Sequence, residues 1–267
     1  MSPPGSPPSS PPPGAPPGAP VVALEGVSLT YRRGLLGGEG TAAVREVTLS
    51  IAAGETLGLV GESGSGKTSL GKLCLGLLRP TAGRVLFQGG PFPARRSLRG
   101  RLSVVLQHPE WALNPRLRCG ASVAEPLEIL GTAERAARQR KVAELLDAVG
   151  LDPSYAERFP GELSGGQRQR VAIARALITE PRFILFDEAV SALDVSVQAQ
   201  ILNLVRRLQA AFGFAALFIS HDLAATRYLS HRIAVMYRGE LVEVAPARSF
   251  YGRPEHPYSR QLLAAIR

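Results

Sequence analysis

The chain has 267 residues, 45% hydrophobic and 20% charged, a globular composition with enough apolar surface for one or two domains. No uncharged apolar stretch approaches the roughly 18 residues of a membrane span, so the chain is not expected to cross a membrane by itself. The net charge of +9 rests on 28 Arg against three Lys, which reads as a compositional bias rather than a nucleic-acid patch.

Residues 1–20 hold ten Pro, four Ser and three Gly and no charge. Such a segment cannot bury enough apolar surface to offset its ordering entropy, and a disordered, partly polyproline tail is expected. It lacks the basic start and apolar run of a signal peptide. Residues 27–31 and 44–51 read as strands separated by a turn rich in glycine (Gly34, Gly37, Gly38, Gly40). Residues 56–60 form a short apolar strand that runs into a Gly-rich loop. Beyond it, Leu70, Leu73, Cys74 and Leu77 recur at i, i+3, i+4 and i+7, which predicts a helix with one buried face, ended by Pro80 and Gly83. Cys74 on that face predicts a buried, inert thiol. With Cys119 it forms neither a CxxC pair nor a disulfide framework, and a reducing, cytoplasmic setting fits. The densest charge cluster, Arg95, Arg96, Arg99 and Arg101, reads as a solvated face.

Residues of about 121–150 are expected to be helical, with Val142, Leu145, Leu146 and Val149 as the apolar stripe and Gly150 as the stop. Residues 183–186 are an apolar run bounded by charge, as in a buried parallel strand. Asp194 is placed to cap a helix whose Val197, Ile201, Leu204, Val205 and Leu208 face inward, with Gly213 beyond it, and residues 214–219 give another buried strand. This alternation predicts an α/β domain with a largely parallel sheet and an inserted helical lobe.

Three motifs carry chemistry. Gly61, Glu62, Ser63, Gly64, Ser65, Gly66, Lys67 and Thr68 match G-x-x-x-x-G-K-[ST] between a predicted strand and helix. Small residues let successive N–H groups converge on phosphates, and the helix start adds a favourable dipole. Lys67 is expected to reach the β- and γ-phosphates, the Thr68 hydroxyl to bind Mg²⁺, and Ser69 to join the nucleotide set. Some 120 residues after Lys67, an apolar strand ends in Asp187 and Glu188. That places Asp187 beside the metal, through water or directly, and Glu188 where it can polarise the attacking water. Leu163, Ser164, Gly165, Gly166 and Gln167 open another helix with a second anion-favouring start.

In this order the three motifs resemble the ATP-binding cassette (ABC) ATPases, and the resemblance covers nearly everything from Val21 onward. It implies a P-loop cassette with a RecA-like core, an antiparallel β subdomain and an inserted helical subdomain at about 108–165, within a nucleotide-binding domain of residues 21–267. ATP and Mg²⁺ are the implied cofactors. Gln107, after the apolar run 104–106, falls where the family contacts Mg²⁺ and the attacking water. Ser191, Ala192, Leu193 and Asp194 match the loop that communicates between paired sites. His221 matches the histidine that contacts the γ-phosphate. Tyr31 lies where the family stacks an aromatic on adenine, with a strand-core aromatic as the other reading. In the family two cassettes pair head to tail, so that the signature at Ser164 closes on nucleotide held by the other chain.

The C-terminal stretch of about 245–267, with Glu255, His256, Pro257, Tyr258 and Ser259, resembles the oligopeptide, dipeptide and nickel importer ATPases. So do Asn114, Pro115 and Arg116, and the run from Ala192 to Gln200. The wording is closest to the second of the two ATPases in such systems. It implies a different partner cassette, permease subunits, indirectly a solute-binding protein, and a peripheral place on the cytoplasmic face of the cell membrane. His108 and Ala189 depart from the usual Asp and Pro of this branch. Trp111 reads either as a contact for the permease near the groove at 107–116 or as a core aromatic. A soluble cassette acting on nucleic acid or ribosomes is the alternative; such relatives usually carry two cassettes, a coiled coil or zinc cysteines, and no nucleic-acid partner is expected.

Overall fold

The computed structural model describes residues 20–33, 38–109, 112–131 and 134–264, without the side chains of residues 32, 33, 38, 39 and 95. Residues 1–19, Gly34, Gly37 and Trp111 lie outside the described residues, and with them the expectations placed on the Pro-rich tail, part of the glycine turn and the groove tryptophan. Strand β1 (Val22–Arg33) pairs antiparallel with β2 (Gly38–Ile51), from Val22↔Ile51 to Arg33↔Gly38. Both are longer than the patterns at 27–31 and 44–51. Bulges near Leu24/Val27 and Val27/Leu29 break the alternation that marks a strand, while the backbone pairing continues past them.

Strand β3 (Thr56–Val60), buried throughout, leads through the phosphate loop into helix α1 (Lys67–Cys74). The helix stops short of expectation. Gly76 turns left-handed at φ 66°, and Leu77, three residues past buried Cys74, is 53% exposed. Strands β4 (Ala82–Phe87) and β5 (Gly90–Pro91) complete a four-stranded antiparallel sheet in the order β2-β1-β4-β5. A short helix α2 (Arg95–Leu98) follows. Arg96 and Arg99 are exposed as expected, but Arg101 is not fully solvated: its guanidinium lies 4.7 Å over the Phe87 ring and bonds Gln88 Oε1.

After β6 (Leu102–Leu106), the region expected to be one helical stretch is two helices, α3 (Cys119–Leu130) and α4 (Arg135–Ala148), parted at left-handed Gly131. The predicted stripe of Val142, Leu145, Leu146 and Val149 is buried, against Cys119, Val123 and Leu127 of α3. Two 3₁₀ turns, Pro153–Glu157 and Pro160–Glu162, then lead into α5 (Gly165–Leu177). Strand β7 (Phe183–Asp187) is followed by α6 (Val195–Phe212), which Gly213 ends at φ 67°. Asp194 occupies the N-cap position of α6, but its side chain makes no capping bond. Val197 is only partly buried, whereas Ile201, Leu204, Val205 and Leu208 face the core.

Strand β8 (Ala215–Ile219), helix α7 (Leu223–Leu229), strands β9 (Arg232–Tyr237) and β10 (Glu240–Pro246), and helices α8 (Ala247–Gly252) and α9 (Pro257–Ala264) complete the chain. The second sheet runs β10-β9-β3-β8-β7-β6 and is parallel except at the β10 edge. Its central strands are apolar on both faces because layers cover both. Leu70, Leu73 and Cys74 of α1 share a core with β1, β2 and the strands β3, β7 and β8. Burial pushes the Cys74 thiol up to about 12, so it is inert, as expected. Among the described residues no helix is long and apolar enough to cross a membrane.

Candidate functional site

Registry assembles the site. Leu106 pairs with Asp187, Asp187 with Ile219, and Ile219 with Leu59, so the ends of β6, β7, β8 and β3 lie in one row. The next residues along the chain are therefore brought to one edge: Gln107, Glu188, the Ser220–His221 pair, and Gly61 after Val60. This carboxyl edge of a parallel sheet is where α/β folds bind ligands.

At the phosphate loop the backbone is boxed by neighbours. A Cβ on Gly61 would meet the Met236 carbonyl at 2.1 Å, and one on Gly66 the Ala43 carbonyl at 2.1 Å. Gly66 also sits at φ 105°, which favours glycine. Gly239 N–H donates to the Ser65 carbonyl at 3.0 Å. No side chain caps α1, so the N–H groups of its first turn are left for a ligand. Lys67 is buried, and its Nζ donates to the carbonyls of Gly61 and Glu62, both at 2.7 Å. Burial pulls this ammonium below the usual lysine range, against the opposing charges of Glu188, Asp187 and Glu62. A buried cation held only by neutral oxygens beside uncapped helix N–H groups fits an anion. Ser63, Gly64 and Thr68 of the loop are exposed.

Asp187 and Glu188 share the facing wall. Burial raises the Asp187 carboxyl above its usual range, and the adjacent Glu188 charge adds to this. Glu188 holds a left-handed φ of 52°, fixed by Glu188 N–H to the Ile219 carbonyl at 2.9 Å and by Ser191 Oγ donating to the Glu188 carbonyl at 2.9 Å. His221 is exposed, with Nδ1 3.8 Å from Glu188 Oε1. Next to it, Asp222 caps α7 and accepts a bond from Gln198 Nε2 of α6. Tyr31 is exposed rather than a core aromatic, and its hydroxyl lies 3.1 Å from Ser69 Oγ beside the loop. Thr68, Gln107 and Asp187 offer a hydroxyl, an amide oxygen and a carboxylate; these hard donors suit Mg²⁺, which keeps waters and phosphate in its shell. Among the described residues no group of three or more His, Cys, Asp or Glu could hold a metal unaided.

The second helix start is self-contained. Ser164 Oγ accepts from Gln167 N–H at 3.3 Å, while Gln167 Oε1 accepts from Ser164 N–H at 2.9 Å, a reciprocal capping box. Gln167 Nε2 also donates to the Tyr155 hydroxyl at 3.1 Å. Ser164 is exposed, Gly165 and Gly166 are partly so, and Leu163 is buried as the anchor. Exposed Asp194 lies one residue before α6 and three before Val197, whose Cγ1 is 2.6 Å from where a Gly166 Cβ would stand.

Two contacts beside the candidate site escape the motifs. Fully buried Gln169 donates from Nε2 to the Ala189 carbonyl at 2.7 Å and the Leu106 carbonyl at 3.4 Å, tying α5 to the residues flanking Glu188 and Gln107. Tyr258, in the C-terminal helix, accepts a bond from Glu62 N–H at 2.9 Å. The repeated glutamine of α5 was a visible signal for the first; Tyr258 stands in the C-terminal motif, but nothing local signals its partner Glu62.

A family model described as ABC transporter matches residues 44–191, more than half of the chain. The chain belongs to the ABC transporter family. This ABC cassette is an ATP-hydrolysing, P-loop α/β protein, as its sequence implied. A putative peptide import ATP-binding protein of Brucella abortus is 50% identical over 230 residues, spanning 84% of this chain and 69% of that protein. The glutathione import ATP-binding protein of Pectobacterium atrosepticum is 48% identical over 229 residues, spanning 84% of this chain and 37% of that protein. An ATP-binding cassette solved as a dimer in a post-hydrolysis state, with ADP and phosphate bound, superimposes at TM-score 0.73 and 31% identity, covering 85% of this chain and 99% of that one.

Proposed function

We propose that this cassette energises an importer for peptides or nickel-type solutes, seated on permease subunits at the cytoplasmic face of the membrane and paired head to tail with a second, different cassette. The observation that carries the import reading is the 50% identity, over 84% of the chain, to a protein named for peptide import. The self-capped, exposed start of α5 supports the pairing: it is a finished anion-favouring surface, separate from the loop that holds the chain's own nucleotide. Residues 108–165 are read as the helical lobe that receives the permease, and 245–267 as the importer-type tail.

In this reading residues 61–69 bind the phosphates, with Lys67 reaching the β- and γ-oxygens, and Tyr31 stacks on adenine. Thr68, Gln107 and Asp187 hold Mg²⁺, which when bound neutralises phosphate charge. Glu188 takes a proton from the attacking water, whose oxygen bonds the γ-phosphorus as the β–γ bridging oxygen departs with its electron pair. His221 contacts the γ-phosphate and is close enough to Glu188 to steer its carboxylate. Ser164, Gly165, Gly166 and Gln167 close on the partner's nucleotide, and Asp194 lies at the seam.

Affinity capture of the chain from gently solubilised source membranes, followed by mass spectrometry, tests this. Two permease subunits and a different cassette are expected, with a solute-binding protein if the assembly survives. Recovery of only ribosomal or DNA-associated proteins would overturn the transport reading and leave the phosphate chemistry standing.

A further inference from the structure

We propose that Tyr258 is a positioning residue for the phosphate loop, through which the C-terminal segment sets nucleotide affinity. Three contacts build the device. Glu243, buried on β10, accepts N–H bonds from Glu255 and His256, both at 3.0 Å, and so fixes the chain just before α9. The buried Tyr258 ring lies 4.2 Å from the Tyr237 ring of β9, centroid to centroid. Its hydroxyl oxygen then accepts the Glu62 N–H at 2.9 Å.

The peptide group between Gly61 and Glu62 is held at both ends. Its N–H meets Tyr258, and its carbonyl accepts from Lys67 Nζ at 2.7 Å. Only glycine fits at 61, because a Cβ there would stand 2.1 Å from the Met236 carbonyl and the backbone has a φ of 150°. Glycine leaves the adjoining peptide free to rotate. The Tyr258 hydroxyl removes that freedom, fixing the carbonyl that keeps Lys67 aimed across the loop. It does so from the side of Glu62, leaving the N–H groups at the start of α1 open to phosphate. Preorganisation of this kind acts on affinity more than on the chemical step.

The proposal rests on reading residues 61–68 as the phosphate site. Its test is equilibrium binding of a fluorescent ATP analogue, with steady-state ATPase kinetics, for wild type, Tyr258→Phe and Tyr237→Phe in the full-length chain. Tyr258→Phe keeps the ring pair and loses one hydroxyl. Its Kd and KM for nucleotide should rise about three- to tenfold, the worth of one hydrogen bond, with kcat within about twofold of wild type. Tyr237→Phe, which removes the neighbouring hydroxyl, should bind as wild type does. A Tyr258→Phe chain that melts lower but binds with unchanged Kd and KM would overturn the proposal, since that is the signature of packing alone. A wild-type chain with no nucleotide affinity would overturn the phosphate-site reading and the proposal together.

Discussion

At the phosphate loop, the helix start at Lys67 has no capping side chain and is walled by backbone from β2, β9 and the Gly239 turn. At the signature, the helix start at Gly165 carries its own reciprocal cap and leans on one tyrosine. Both are glycine-flanked and both favour an anion. The first has no side-chain cap and is held in shape by distant segments. The second is complete by itself and open to solvent. The contrast teaches that the same local chemistry can be built as a walled, uncapped start or as a self-capped, exposed one; in the proposed function the first serves the chain's own nucleotide and the second another chain's.

The sharpest break in that comparison is Glu188→Gln. Turnover should fall by about 10²–10⁴-fold while nucleotide binding persists, as expected for loss of a general base. A variant hydrolysing at the wild-type rate would remove Glu188 from that role. Lys67→Ala acts on binding instead, and its loss of charge-assisted phosphate bonds should cost about a hundredfold in nucleotide affinity, measured by titration.

Paired glycine substitutions sharpen the difference in packing. Gly66→Ala forces a Cβ onto the Ala43 carbonyl at an unfavourable φ and should destabilise by about 3 kcal/mol or more in denaturant melts. A Cβ at Gly165 would lie 3.8 Å from Leu193, ordinary contact, so Gly165→Ala should change stability by no more than about 0.5 kcal/mol. Equal costs at the two positions would erase the distinction between boxed and open starts. Ser164→Ala is smaller, about 1 kcal/mol for a lost cap. It should impair hydrolysis in the assembled transporter without weakening ATP binding by the monomer, and weaker monomer binding would contradict the in-trans reading.

The smallest effect concerns the C-terminal clamp. Burial alone would raise the Glu243 carboxyl, but bonds from Glu255 N–H and His256 N–H and the nearby His256 charge hold it below its usual range. A depressed folded pKa adds stability that is present above the unfolded value near about pH 4.3 and is lost as pH falls through the folded value. Acid melts of Glu243→Gln should therefore lose less stability than wild type below about pH 4.

Much of the site was legible because phosphate chemistry demands particular residues at fixed spacings. The motif residues at 61–68, 163–167 and 187–188 are read locally, and the exposure of Tyr31 removes the core reading, leaving adenine stacking as the proposed role. Part of what failed was read from periodicity, the rest from a cap position and a charge cluster. Leu77 continued a helical pattern that a left-handed glycine at 76 had already ended, and one stretch became two helices at Gly131. Asp194 was at a cap position, yet its side chain makes no capping bond and stays exposed. Arg101 looked like one more surface charge until the strand pairing brought Phe87 beneath it.

The sequence by itself determined β1, β2, β3, β7 and β8, the glycine-rich loop and the helix starts at Lys67 and Gly165, because these depend on residue type within a few positions, whereas β4, β5, β9 and β10 were not read from it. The tertiary structure alone decided which strand ends share a row, that Gln169 ties the signature helix to both walls of the site, and that Tyr258 meets Glu62 across 196 positions. Those contacts depend on registry between segments far apart in the chain, where no local rule of spacing acts.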